Sequence, residues 1–492
     1  MKAAFFLTGL LASTVLAGCA TSTGPAAMTQ NADYGRAVHT PKQAADPYYM
    51  TARERVAARA EMRSAKSAKN VIIFIGDGMG VSTVTAARIY AGQKLGQTGE
   101  EYVLPFETFD NVALVKTYNI DAQVPDSAGT ASAMHTGVKT DIGVLGYGPG
   151  VTEGDCASGM GHAAPMLGEE VKARGLALGI VSTARLTHAT PASVYARSVT
   201  RDWEADTWIP EDQRGQGCVD IAQQLVEAPF DVALGGGSVA FYGKDKGGRR
   251  LDDAADLPSD WEVATGGTYA TTLQDMAAAP DDKPLLGLFS LSHMTYMVDR
   301  EVDSTEPTLT SMTATAIQRL SSDPQGYYLM VESGRIDHGH HEGKAGYALE
   351  EAVEFARAIK WAIDNTDPEE TLIMVTADHS HVFTIAGYPK RGNPILGLVS
   401  NPRDEGPSLA EDGKPYTTLG YANGMGAFEG ERPMPETGVK ARQQAAIPTK
   451  SETHAGEDVA LYAQGPGAEN VRGVMEQNLI YNVIRKAFGW EE

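Results

Sequence analysis

Cysteine is scarce in this chain, with three in 492 residues, too few for a scaffold held by many disulfides. Positive charge is also in short supply. Lys and Arg number 41 against 63 Asp and Glu, a formal net charge of −22, which argues against any chain-wide attraction to nucleic acid. An anionic substrate would then need a locally positive site, and bound metal ions can supply one. Past the N-terminus no run is long and apolar enough to cross a bilayer. No internal repeat appears either. A chain of this length can bury a large core, as one big α/β domain or as two ordinary ones.

The N-terminus reads as an address. Met1-Lys2 leads into Phe5-Phe6-Leu7 and Leu10-Leu11, a charged start followed by a short apolar run, which predicts a signal peptide over residues 1–18. The run ends Leu16-Ala17-Gly18-Cys19 and resembles a bacterial lipoprotein box, with cleavage before Cys19 and lipid on its sulfur. Several acyl chains on one cysteine anchor firmly where a single chain does not. The alternative is an ordinary signal peptide with Cys19 incidental. Residues 19–66 then form a lipidated flexible tether running into a short amphipathic helix. With Cys19 assigned, Cys156 and Cys218 remain as a possible pair in an oxidising compartment, although spacing alone does not bring them together.

The chemistry is placed on Pro125-Asp126-Ser127-Ala128-Gly129-Thr130-Ala131-Ser132-Ala133. Pro125 and Asp126 end a loop, and the small residues after them read as the first turns of a helix. Ser127 therefore sits at a helix N-terminus, where unpaired N–H groups and the dipole favour an anion. A lone Asp-Ser pair is more often just a capped helix start. The metal ligands offered elsewhere in the chain change that balance, because a serine needs a base or a metal to take its proton. No Gly-x-Ser-x-Gly elbow surrounds it.

Those ligands follow apolar runs of strand type. Asn70-Val71-Ile72-Ile73-Phe74-Ile75 delivers Asp77 into a glycine loop, where as an isolated residue it would be a turn-former. Leu176 to Thr183 is a second such strand, followed by His188, Thr190, Arg197 and Arg201. An arginine can grip a phosphate through two parallel hydrogen bonds, though most arginines are only solvated. Asp231 to Leu234 and Leu285 to Phe289 are further candidate strands, and Thr308 to Leu320 has helical periodicity. The densest stretch, Tyr327 to His341, is a strand carrying Glu332 and then a loop. Asp337 and His341 are four residues apart there, so on a helical turn they can share one metal. An adventitious surface cluster of histidines is the competing reading, and the buried strand before it argues against that. Thr371 to Ala377 ends in Asp378-His379, with His381 nearby, and His454 precedes the apolar run Val459-Ala460-Leu461-Tyr462. Residues from about 392 to 450 read as an excursion from the core. A closing apolar helix is expected over Val474 to Phe488.

Together these motifs resemble the alkaline phosphatase family, nearer to its animal members than to the best-known enterobacterial one. The matching segments are Asp77 in its glycine loop, Asp126-Ser127-Ala128, Arg201, Val331 to His341, Thr376 to His381, and Thr453-His454-Ala455-Gly456. The resemblance implies an α/β fold, with a large, mostly parallel central sheet flanked by helices on both faces. A small loop-rich, crown-like insertion at about 392–450 would interrupt a catalytic domain of 67–492. It implies two Zn2+ and one Mg2+. Asp337, His341 and His454 would hold one zinc, and Asp77, Asp378 and His379 the other. Asp77, Glu332 and Thr190 would hold the magnesium. Ser127 would be the nucleophile, and Arg201 would bind phosphate, oriented by Asp126. His188 and His338 would lie behind the ligands, and Cys156 and Cys218 would form a disulfide. An acidic calcium ligand of the animal enzymes is Ser290 here, so no calcium is predicted. Three ions bring six positive charges against four from Asp77, Glu332, Asp337 and Asp378, a surplus that favours a phosphate dianion.

The implied activity is hydrolysis of phosphate monoesters through a phosphoserine, by a homodimeric lipoprotein of the periplasm or cell surface. The membrane would be met through the lipid alone, with no nucleic-acid partner. The rivals are a phosphodiesterase or sulfatase of the same superfamily, and a lipoprotein that only binds metal or phosphate.

Overall fold

The strands that read as buried runs meet in the middle of one sheet. The computed structural model describes residues 42–58, 66–403 and 405–490, all within one compact unit. The signal peptide, Cys19 and most of the tether lie outside the described residues. In chain order the strands are β1 (Asn70–Gly76), β2 (Asn111–Lys116), β3 (Ala177–Arg185), β4 (Val232–Gly236), β5 (Thr268–Ala270), β6 (Leu285–Leu288), β7 (Tyr327–Ser333), β8 (Thr371–Thr376), β9 (Ser380–His381), β10 (Phe383–Ile385), β11 (Leu419–Gly424), β12 (Gln444–Pro448), β13 (His454–Ala455), β14 (Val459–Gln464) and β15 (Gly473–Glu476).

Ten of them form the main sheet in the order β15-β2-β14-β8-β1-β7-β3-β4-β6-β5. Only β14 runs against its neighbours. The central strands β1, β7, β3 and β8 are buried almost throughout. That is why they read as continuous apolar runs rather than alternating ones. One group of helices, Val81–Lys94, Leu309–Leu320 and Ala345–Asn365, packs together and against β1, β3 and β7. Phe355 of this group meets Phe74 edge to face at 5.9 Å. A second group, Ser127–Thr136, Leu167–Ala173 and Leu479–Ala487, packs together and against β3, β7 and β15. The Pro47–Ala58 helix joins that second group through Tyr49, Ala52 and Val56, which are buried at helical spacing.

The chain from Val474 to Phe488 is two elements where one helix was expected. Gly473–Glu476 pairs with β2 as an edge strand, with Met475 buried and Val474 exposed, and the helix begins at Leu479. The unpaired backbone along β2 selects this outcome, which helical propensity alone does not anticipate. The stretch after Gly392 runs as turns and isolated bridges before β11 and β12, which build a three-stranded sheet with β10. A separate two-stranded ladder pairs His454 with His381. Cys156 and Cys218 are joined by a disulfide with Cα atoms 5.7 Å apart. They sit in a small core of their own with Val144, Val151, Val199 and Trp203.

Candidate metal and phosphate site

Ser127 is not the residue that caps its helix. Asp126 does so, its carboxylate accepting from the N–H groups of Ala128 at 3.2 Å and Gly129 at 3.1 Å. The Ser127 hydroxyl is thereby left free at the first turn, buried and 3.2 Å from His379 Nε2. Asn119 Nδ2 also donates to Asp126, at 3.0 Å. The second carboxylate oxygen takes Arg201 Nη1 at 3.1 Å, while Arg201 Nη2 donates to His188 Nε2 at 2.9 Å. Burial opposes both charges of the Asp126–Arg201 pair. The arginine nevertheless holds the Asp126 carboxyl below its usual range, and Asp126 raises the guanidinium.

Three carboxylates come from the carboxyl ends of adjacent strands, where ligands of open parallel sheets bind. Asp77 follows β1, Glu332 lies near the end of β7, and Asp378 follows β8. Each is fully buried. Burial first, then repulsion from Asp378, Asp337 and Glu332, pushes Asp77 well above the usual carboxylate range. Burial likewise raises Glu332 and Asp378. Both oxygens of Asp77, Asp378 Oδ2, Glu332 Oε1 and Thr190 Oγ1 are buried without a hydrogen-bond partner. Thr190 and the Asp77 carboxyl sit beside Glu332, whose other oxygen accepts from Ser182 Oγ. Such an arrangement is costly unless cations compensate it. Gly78 at φ +68 lets the loop close here, because a Cβ would lie 2.3 Å from His381 Nε2.

The second cluster surrounds Asp337. The Arg335–His341 helix puts Asp337 and His341 on one face, with His341 Nε2 3.2 Å from Asp337 Oδ1. The β9–β13 ladder brings His454 Nε2 to 3.4 Å and His381 Nε2 to 2.8 Å of the same oxygen. His341 donates from Nδ1 to the Glu452 carbonyl at 2.6 Å, and His454 donates from Nδ1 to the Pro125 carbonyl at 2.8 Å. Those two bonds put the proton on Nδ1 and turn the Nε2 lone pairs inward, the tautomer a metal needs. His381 differs, because its Nδ1 reaches the Glu452 carboxylate at 2.6 Å. Burial works against its charge, but the bonds to Asp337 and Glu452 raise it to about 10. His381 thus bridges Glu452 and Asp337 and holds the Asp337 carboxylate in place. Burial likewise opposes charge on Asp337, yet His341, His381 and His454 hold it well below its usual range.

Seven of the expected site residues share one cavity. Ser127, Arg201, His188, Asp337, His338, His341 and His454 line a single cavity of about 390 Å³. Asp77, Asp337 and His379 offer donor atoms within 4.8 Å of one another, and so do Asp77, Glu332 and His188. His188 and His338 are kept neutral, above all by burial, with His338 pushed down to about 3. His340, by contrast, bonds Thr83 and Tyr421 at 2.9 Å each and belongs to the core. The residues missed from sequence are His381 as a positioning group and Glu452. His381 lay inside a matched motif, and Glu452 carried no signal beyond its place two residues before His454.

Fold and site together define a class: a metal-dependent hydrolase of phosphate esters built on a mostly parallel α/β sheet. The family model for alkaline phosphatase matches residues 68–490. The tissue-nonspecific alkaline phosphatase of Gallus gallus is 44% identical over 476 residues, covering 91% of this chain and 90% of that one. The Homo sapiens enzyme of the same name is 42% identical over 482 residues, covering 91% and 89%. Among solved structures, Thermus thermophilus alkaline phosphatase shares the fold with a TM-score of 0.66 at 22% identity, covering 92% of this chain and 96% of that one. A variant of the alkaline phosphatase TAB5, with Mg bound in its M3 site, has a TM-score of 0.63 at 25% identity, covering 87% and 100%. This chain belongs to the alkaline phosphatase family, whose activity is metal-dependent hydrolysis of phosphate monoesters.

Proposed function

We propose that turnover runs through a phosphoserine at Ser127. Asp337, His341 and His454 would hold one Zn2+, and Asp77, Asp378 and His379 the other. Asp77, Glu332 and Thr190 would hold Mg2+, with His188 beside them. The buried oxygens of Asp77, Asp378, Glu332 and Thr190 that lack a hydrogen-bond partner carry this reading, the first two lying beside the His379 ring that the Ser127 hydroxyl meets. Bound there, the cations would acidify the serine hydroxyl and neutralise charge on the leaving oxygen.

The chain's own groups do the rest. Arg201, held by Asp126 and His188, presents its guanidinium to two oxygens of the phosphate. The N-terminal N–H groups of the Ser127–Thr136 helix add partial positive charge behind the phosphorus. The Ser127 oxygen bonds to phosphorus as the ester P–O bond breaks, and the alcohol departs with a proton. Water then cleaves the phosphoserine, which releases inorganic phosphate and restores the hydroxyl. Ser127→Ala should abolish the phosphoenzyme and nearly all turnover while zinc content, read by elemental analysis, survives. Turnover near wild type would remove Ser127 from this role.

Residues 67–492 would be the catalytic domain, with the crown-like insertion at about 392–450. Lipid on Cys19 would tether a homodimer to a periplasmic or cell-surface membrane. Among the described residues no helix is long and apolar enough to cross one. Cys19→Ala should move the protein from the membrane fraction to the soluble one, and sedimentation should report two chains.

A further inference from the structure

The site cavity has a neighbour. A second cavity of about 470 Å³ shares three wall residues with it, Arg185, Asp202 and Glu204. Arg185 ends β3, the strand next to the Glu332 strand β7. Beyond it the ends of β4 and β6 carry the walls Val239, Leu291 and Ser292. Both cavities thus open along the carboxyl edge of one run of parallel strands, the usual ligand crevice of such sheets.

Two of the shared wall residues are held together. Arg185 grips Glu204 through Nε at 2.7 Å and Nη2 at 2.6 Å. The outer wall is built too. Val239 N–H donates to the Leu291 carbonyl at 3.1 Å, and Ser290 Oγ donates to the Ser292 carbonyl at 2.8 Å. A Cβ on Gly236 would lie 2.3 Å from that Ser292 carbonyl, so the two loops seat together only over a glycine.

Part of what lines this second space is uncommitted. Leu291 is 58% exposed on its wall, and the Trp208 indole is only partly buried. Among the described residues the Arg249 guanidinium and the Asp202 carboxylate make no hydrogen bond or ion pair. The exposed leucine and the uncovered part of the indole, which otherwise packs on the core, suit the face of a flat, weakly polar ring. A carboxylate without partners accepts from hydroxyls, and a guanidinium without partners donates to ring oxygens and nitrogens.

We propose that the second cavity binds the alcohol half of the substrate and that the favoured class is nucleoside monophosphates. The base would lie on Trp208 and Leu291, and the ribose hydroxyls would meet Asp202. This rests on the monoesterase reading above, with the phosphate held by Arg201 beside Ser127.

The test is steady-state kinetics of the metal-replete enzyme on adenosine monophosphate and on glycerol 2-phosphate, whose small alcohol leaves the second cavity empty. Trp208→Ala and Leu291→Asp should each raise KM for the nucleotide about tenfold with little change in kcat, while KM for glycerol phosphate stays within about twofold. Trp208→Phe should retain most of the nucleotide preference. Adenosine alone should compete with the nucleotide in the wild type and fade in both variants. Leu291 is solvent-facing, so its variant gives an answer even where loss of the indole unfolds the chain. Equal shifts for both substrates, or none for the nucleotide, overturn the subsite. A wild type inert on glycerol phosphate would instead strike at the monoesterase reading.

Discussion

Asp126 has two tasks that one substitution can separate. It caps the Ser127–Thr136 helix through two N–H groups, and it holds Arg201 at 3.1 Å. Asp126→Asn keeps an acceptor for the cap but removes the charge that orients the guanidinium. A hydrogen bond to a charged partner is worth about 1.5–3 kcal/mol. The Arg201 side chain keeps 21% exposure, so solvent screens part of that, and the loss should be about 1–2 kcal/mol. The inhibition constant of inorganic phosphate should then rise about 5- to 30-fold, since each 1.4 kcal/mol is a factor of ten. Asp126→Ala should weaken phosphate at least as much and also lower the thermal midpoint, because a lost cap costs about 1 kcal/mol. The assay is phosphate inhibition of nitrophenyl phosphate hydrolysis, paired with calorimetry on the same metal-loaded samples. An asparagine variant that binds phosphate as wild type does, yet melts as early as the alanine variant, would refute the orienting role and leave Asp126 only its cap.

Other outcomes follow from the same geometry. His381→Ala should lower zinc affinity about 10- to 100-fold, because it removes the group holding Asp337; activity should return with excess zinc, and activity unchanged after partial chelation would count against it. His135 is buried against Tyr328 and Ser193, and burial pushes its pKa down to about 4 from 6.5. Its folded-state value is the lower one, so the unfolded chain takes up the proton first. Stability from this group is complete above about pH 6.5 and is lost as pH falls toward about 4, by at most about 3 kcal/mol. Comparing urea midpoints of the wild type and His135→Asn between those pH values isolates the group, and parallel pH slopes would rule the contribution out.

Local pattern was enough for the buried strands and for what stands at their ends. Val71 to Ile75, Tyr327 to Val331 and Thr371 to Val375 are apolar on both faces, a property written residue by residue. Asp77, Glu332 and Asp378 therefore had to emerge on one edge once those strands lay parallel. The four-residue step from Asp337 to His341 was legible for the same reason, as helical geometry repeats locally. Other features were set by contacts between distant segments. The edge of β2 took Val474 into a strand, and the ladder of β9 with β13 brought His454 over Asp337. Glu452 then reached His381, whose ring bridges two carboxylates far apart in sequence. The second cavity, too, exists only where the loops after β4 and β6 close on each other. Periodicity records which face of a segment is buried; which segment lies opposite is settled by packing and by the need to pair every buried polar group.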